Sequence, residues 1–217
     1  MLGTRALLIW LTLVAGVTAP AYGGVISVQA HLVDHKAFAG AVITVQSAAT
    51  HAPVAPLSAI VDQINLAFVP DVIVIPVGST VEFPNSDSVS PQIYSFSPAK
   101  RFQLPLYHGK PYPPVHFDQP GVVNLGCNIH DKMVGYIFVT DAAYFGRTDA
   151  SGHWTVANVP RGIYHVSLWH PLLRDSVASL ERDVTVSGDD AVTLDVQLAE
   201  GLRPAPLPSN SRSRNQY

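Results

Sequence analysis

The apolar runs of this chain are short, rich in β-branched residues, and closed by turn formers. Val25-Ile-Ser-Val-Gln-Ala-His-Leu-Val33, Ala41-Val-Ile-Thr-Val45, Val122-Val-Asn-Leu125, Gly135-Tyr-Ile-Phe-Val139, His153-Trp-Thr-Val156, Tyr164-His-Val-Ser-Leu168 and Ala191-Val-Thr-Leu-Asp-Val-Gln-Leu198 each have strand length. The run Val72-Ile-Val-Ile-Pro-Val-Gly-Ser-Thr-Val-Glu-Phe83 is divided by a Gly-Ser turn. Long helical stripes are missing, and 18 prolines and 15 glycines punctuate the runs, so the pattern predicts an all-β chain of antiparallel sandwiches. Two helical turns are expected, near Ser58 to Ile64 and Leu172 to Leu180.

The first residues read as a leader. Arg5, the apolar stretch Ala6 to Val17 and the small residues Ala19-Pro-Ala21 follow the order of a secretory signal peptide. Residues 1–21 are therefore set apart from the fold, and the mature chain is expected in the periplasm or secreted. The apolar stretch falls short of the roughly 20 residues that span a bilayer, so no membrane span is expected in the mature chain. Loss of Arg5 takes the net charge from −3 to −4, which does not suit a nucleic-acid partner. No glycine-rich phosphate loop and no paired-cysteine zinc spacing occurs.

One run concentrates soft donors. Gly126-Cys-Asn-Ile-His-Asp-Lys-Met133 holds the single cysteine and the only methionine beyond the initiator. A thiolate, an imidazole and a thioether are the donors of a blue-copper electron-transfer site. An unpaired cysteine in an oxidising compartment is a liability unless it is buried, metal-bound or catalytic. Cys127 ends one predicted strand and the next begins at Gly135, so the residues between must turn tightly, and one ion can then touch Cys127, His130 and Met133. Ile129, Val134 and Tyr136 are placed to exclude water from one side. The plain alternative is a packed cysteine and methionine beside a surface histidine. A Cys127 nucleophile with His130 as base is the enzymatic alternative, but no orienting acid or oxyanion motif accompanies it, and the chain is not read as an enzyme.

A boundary is expected near Asp141. Beyond it, Thr148-Asp-Ala-Ser-Gly-His-Trp-Thr-Val-Ala-Asn-Val-Pro-Arg-Gly-Ile-Tyr-His-Val166 has Asp-x-x-Gly and Pro-x-Gly turns spaced to fold strands back on each other. This stretch resembles the carboxypeptidase-regulatory-like, or transthyretin-like, β-sandwich, which implies a non-catalytic packing or interaction module. Residues 141–200 are assigned to it. Trp169 is expected to pack under the sheet of this unit, and residues 201–217, without apolar periodicity, are expected to be a disordered tail.

Residues 22–140 carry a second resemblance. Phe68-Val-Pro70, Val72 to Asn85, and Gly121-Val-Val-Asn-Leu-Gly-Cys-Asn-Ile-His-Asp-Lys-Met-Val-Gly-Tyr-Ile-Phe-Val139 resemble the cupredoxin fold of plastocyanin and amicyanin. The arrangement of both parts is similar to exported plastocyanin-like proteins labelled methylamine utilization proteins. The implied architecture is a cupredoxin-like Greek-key β-sandwich followed by a small carboxypeptidase-regulatory-like β-sandwich. The implied cofactor is a type 1-like copper held by Cys127, His130 and Met133.

The relatives supply another histidine after Phe-x-Asn-x-Asp, where this chain has Phe83-Pro-Asn-Ser-Asp-Ser-Val-Ser-Pro-Gln92. Pro91 offers no side-chain donor and Gln92 offers an amide oxygen, a harder donor than imidazole. Gln92, His108, His116 or water are the open choices for the fourth ligand. The implied function is one-electron transfer with a redox partner protein. The alternative is a degenerate cupredoxin acting as a structural or copper-handling module. His31 and Asp34-His35 read as a solvated edge, and Tyr94, Phe96, Phe102, Tyr107 and Tyr112 as core and loop packing with a docking patch as the alternative.

Overall fold

The structure is a computed structural model that describes residues 23–47, 49, 53–87, 92–105, 112–128, 132–173, 180–188 and 190–198. The expected leader and tail, together with Pro91, Tyr107, His108 and His130, lie outside the described residues. Seventeen strands follow in chain order: β1 Gly24–Leu32, β2 Val42–Ser47, β3 Ser58–Ile60, β4 Asp62–Ile64, β5 Ala67–Val69, β6 Val72–Pro76, β7 Ser79–Glu82, β8 Ile93–Ser97 and β9 Lys100–Leu104, then β10 Val115–Phe117, β11 Gly121–Cys127, β12 Val134–Thr140, β13 Tyr144–Arg147, β14 His153–Val159, β15 Gly162–Trp169, β16 Glu181–Val186 and β17 Ala191–Leu198. The all-β class is as the periodicity predicts. The helical turn expected at Ser58 to Ile64 is instead the pair β3 and β4. Val61 and Gln63 are buried while Ile60 and Ile64 face solvent, an alternation of period two that a helix cannot produce.

Two sandwiches with separate cores result. One joins the sheet β6-β12-β11-β8-β9 to the sheet β10-β7-β3 and the hairpin β4-β5. Its core holds Phe68, Ile75, Val81, Phe83, Ile93, Phe117, Leu125, Cys127, Met133 and Ile137. The other joins β14-β1-β17 to β13-β2-β15-β16 around Ile26, Val28, Ile43, Val45, Val166 and Leu168.

The division differs from the expected one. β1 and β2 complete the C-terminal sandwich: β1 lies between β14 and β17, and β2 between β13 and β15. Residues 24–47 therefore do not belong with the sandwich that carries Cys127. That sandwich is inserted between β2 and β13, which are antiparallel neighbours (Val45 opposite Tyr144, Val42 opposite Arg147), so the chain leaves and re-enters at adjacent points. Periodicity marks a strand but not its partner, which is why the assignment is invisible in the sequence.

The turns of the terminal sandwich follow the sequence signals. Asp149 Oδ1 accepts hydrogen bonds from the Ser151 and His153 amides and the Ser151 hydroxyl, and these bonds hold its carboxyl below the usual range. Gly152 takes φ +77°, and a Cβ there would lie 2.2 Å from the Ala30 carbonyl oxygen. Tyr164 closes the Pro-x-Gly turn by donating its hydroxyl to the Pro160 carbonyl at 2.9 Å.

The sandwiches meet along the outer face of β12. Trp169 does not sit under its own sheet; its ring lies 5.3 Å from Phe138 and 5.8 Å from Tyr136, centroid to centroid. Arg147 bridges both units, donating Nε to the Gly40 carbonyl and Nη1 to the Val72 carbonyl at 2.7 Å. His170 stands beside it, edge-on to Phe38 at 4.8 Å.

Candidate metal centre

The Cys127 end of the inserted sandwich is built from three strands. β11 pairs with β12 from Gly121–Val139 to Gly126–Val134, and one further step along that register sets Cys127 opposite Met133. Both side chains are 3% exposed and belong to the same core. On its other edge Cys127 pairs with Ile93 of β8. Cys127 thus pairs with β8 and stands at the end of the ladder with β12.

Gln92 sits just beyond that ladder. Its amide donates to Asn128 Oδ1 at 2.8 Å, and its carbonyl accepts the Asn128 amide at 3.2 Å. This double tie fixes Asn128 to the residue that leads into β8. Along β8, Ile93 and Ser95 are buried whereas Tyr94 is half-buried and Phe96 is 69% exposed, so strand alternation sets Gln92 with the outward residues. His116 of β10 is exposed, on the face opposite Phe117, which is fully buried in the core shared with Cys127.

The opposing sheet contributes a stapled hairpin. Asn65 and Leu66 at the β4-β5 turn have φ of 53° and 62°, and Asp87 holds that turn by accepting both amides, at 2.7 and 2.8 Å. Asp62 in turn accepts the Ser86 amide and hydroxyl. The hairpin carries Phe68 against β12, where a Cβ on Gly135 would lie 3.0 Å from the Phe68 Cβ and ring, so any larger residue there presses on Phe68.

Among the described residues no three His, Cys, Asp or Glu side chains gather where they would hold an ion. A buried thiol opposite a buried thioether at a strand end is a soft donor pair suited to copper, so the residues present fit that metal.

Of the other sequence candidates, Phe102 packs in the core between Phe83 and Phe117 at ring distances of 5.6 and 6.2 Å. Tyr94 and Phe96 stack outward at 5.1 Å. His31, read as a solvated edge residue, pairs with Asp195 and stacks on His35; the Leu32 carbonyl and then Asp195 raise its pKa. Among the described residues, no helix is long and apolar enough to cross a membrane.

No family model and no curated protein matches the chain. Among solved structures, the chain is similar to a Cu-containing nitrite reductase (NirK) from Thermus scotoductus SA-01, at 31% identity and TM-score 0.36 over 44% of this chain and 25% of that one. It thus spans about a quarter of the reductase. It is also similar to a pseudoazurin from Sinorhizobium meliltoi, at 24% identity and TM-score 0.31 over 40% of this chain and 76% of that one. A point variant of amicyanin in its reduced state is 17% identical, at TM-score 0.34 over 45% of this chain and 99% of that one.

Proposed function

We infer that the protein is an exported, cupredoxin-like electron carrier whose inserted sandwich holds copper with Cys127, His130 and Met133. The observation that supports this reading is the burial of Cys127 and Met133 in one core, each next to the last ladder pair, Gly126 and Val134. Copper bound there supplies a centre that accepts one electron and returns it. The chain supplies rigidity. Cys127 is bracketed by β8 and β12, and Gln92 ties the first loop residue, so the donors keep their places in both oxidation states and little reorganisation accompanies transfer. The buried Phe68, Phe83 and Ile137 keep the inner side of the site dry. No catalytic residue is assigned, and the partner is a redox protein rather than a nucleic acid.

A second reading, a structural or copper-handling module without redox activity, is favoured by Pro91 and Gln92 standing where relatives place a histidine. Titration of the metal-free protein with Cu(II) separates the two. The electron-carrier reading expects an intense visible thiolate-to-copper band that Cys127→Ala abolishes. A colourless complex whose affinity is unchanged by Cys127→Ala overturns it.

A further inference from the structure

Trp169 and Arg147 of the terminal sandwich both reach the inserted one. Trp169 lies on Tyr136 and Phe138, and Arg147 donates Nη1 to the Val72 carbonyl of β6 at 2.7 Å. The Nε of Arg147 is spent on its own unit, on the Gly40 carbonyl at 3.1 Å. Both acceptors are neutral carbonyls, so the guanidinium brings an uncancelled positive charge into a half-buried junction.

His170 stands in the same junction. Gly40, with φ +78°, leaves open the space that both groups border: a Cβ there would lie 2.8 Å from Arg147 Nη2 and 3.9 Å from His170 Nε2. The imidazole is edge-on to Phe38 of the terminal core at 4.8 Å, and its Nδ1 accepts the Leu172 amide at 3.2 Å. An accepting Nδ1 belongs to a neutral ring. A second proton goes onto that nitrogen, breaks the Leu172 bond and sets a cation beside the Arg147 cation away from bulk water. The groups that face the ring are Arg147 of β13, which opposes the charge, and Asp71, just ahead of β6, which favours it; burial opposes it most.

We propose that His170 and Arg147 form an acid-released latch between the two sandwiches: protonation of the imidazole parts them and frees Trp169 from Tyr136 and Phe138, while both cores stay folded. His170 directly follows Trp169, so a ring driven away from Arg147 carries the tryptophan with it. Each sandwich has its own core, so parting uncovers the aromatic face of β12 without unfolding either unit. In the parted form the ring is in water and titrates near 6.5, against about 4 in the closed one. The parted form is thus the one that holds the extra proton, and its share grows as pH falls from about 6.5 to about 4. Above that window the latch is closed, and below it further acid adds nothing through this group.

The experiment uses the full chain with Trp10 and Trp154 replaced by phenylalanine, so that Trp169 is the emitting residue. Fluorescence, small-angle scattering and far-ultraviolet circular dichroism are followed from about pH 8 to about pH 3.5, beyond both ends of the window. Expected is a reversible step in which the emission moves to the red and the radius of gyration grows with the β-sheet spectrum unchanged, the ratio of parted to closed form rising about tenfold or more. His170→Asn keeps an oxygen acceptor for the Leu172 amide but cannot take the proton, and its step is lost. Asp71→Asn removes the charge that favours the protonated ring, so its step moves to lower pH; this variant decides the matter if His170→Asn does not fold. The latch is wrong if wild type shows no step, if the sheet spectrum is lost in the same step, if His170→Asn keeps the wild-type midpoint, or if the Asp71→Asn midpoint stays or rises.

Discussion

Cys127 and Met133 are buried in one core, each one residue beyond the last β11-β12 ladder pair, Gly126 and Val134. Leucine and methionine exchange at nearly constant volume, so Met133→Leu changes the stability of the metal-free protein by less than about 1.5 kcal/mol. On the electron-carrier reading, the thiolate band of the copper-loaded variant persists at a shifted wavelength. Denaturant unfolding and the visible spectrum, read on one preparation, check both halves.

Gly135→Ala forces a methyl group against Phe68, which lies 3.0 Å from the position of the new Cβ. Overpacking of this kind lowers stability by about 1–3 kcal/mol. In a Phe68→Leu background the same change costs less, and a double-mutant cycle measures the difference.

Asp87 accepts the amides of Asn65 and Leu66, whose left-handed backbone it stabilises. Asp87→Ala removes both bonds and is expected to lower stability by about 1–2 kcal/mol, since the site is only partly buried. Exchange of the Asn65 and Leu66 amides with solvent deuterium speeds up in the variant.

Trp169→Ala takes away the ring packed on Tyr136 and Phe138. The loss is about 2 kcal/mol, less than the roughly 3–5 of a fully buried tryptophan, because Trp169 is half-buried. Each sandwich retains its own core, so the variant unfolds over a broader or split denaturant transition, where wild type melts with its sandwiches coupled.

Burial, and next the Arg147 charge, push His170 down to about 4 against the opposing pull of Asp71. Its neutral ring accepts the Leu172 amide at Nδ1, at 3.2 Å, a bond that protonation removes. An unfolded histidine titrates near 6.5. Between that value and about 4 the unfolded chain binds more protons than the folded one. The His170 contribution is thus complete above about pH 6.5, declines as pH falls through this window, and levels off below about 4. His31 and His165, whose pKa values are raised by hydrogen bonds to Leu32 and Asp195 and to Asp183, work in the opposite sense: their contributions are complete below about 6.5 and lost as pH rises through their folded values. Melting temperature against pH for wild type and His170→Asn isolates the acid-side slope, which the variant flattens.

Strand positions are legible because β-branched runs and Asp-x-x-Gly turns are local signals. Ser58 to Ile64 reads as helical only because so short a stretch carries too little periodicity; pairing with β7 and β5 decides its form. The allocation of β1 and β2 depends on contacts with residues about a hundred or more positions away. Cys127 and Met133 stand out by rarity of type, and their opposition follows from hairpin register. Gln63 does not stand out at all. A glutamine beside Asp62 reads as surface, and only the fold reveals that it is wholly enclosed.

β1 runs parallel to β17, Val25 beside Ala191 through Leu32 beside Leu198. β1 pairs with a strand far along the chain, and non-local pairing of this kind is slow to form. The inserted sandwich has all its strands between β2 and β13 and faces no such delay. The sandwich that carries Cys127 can therefore form before β17 reaches β1, and the terminal sheet is the part of the fold that depends on the longest-range pairing.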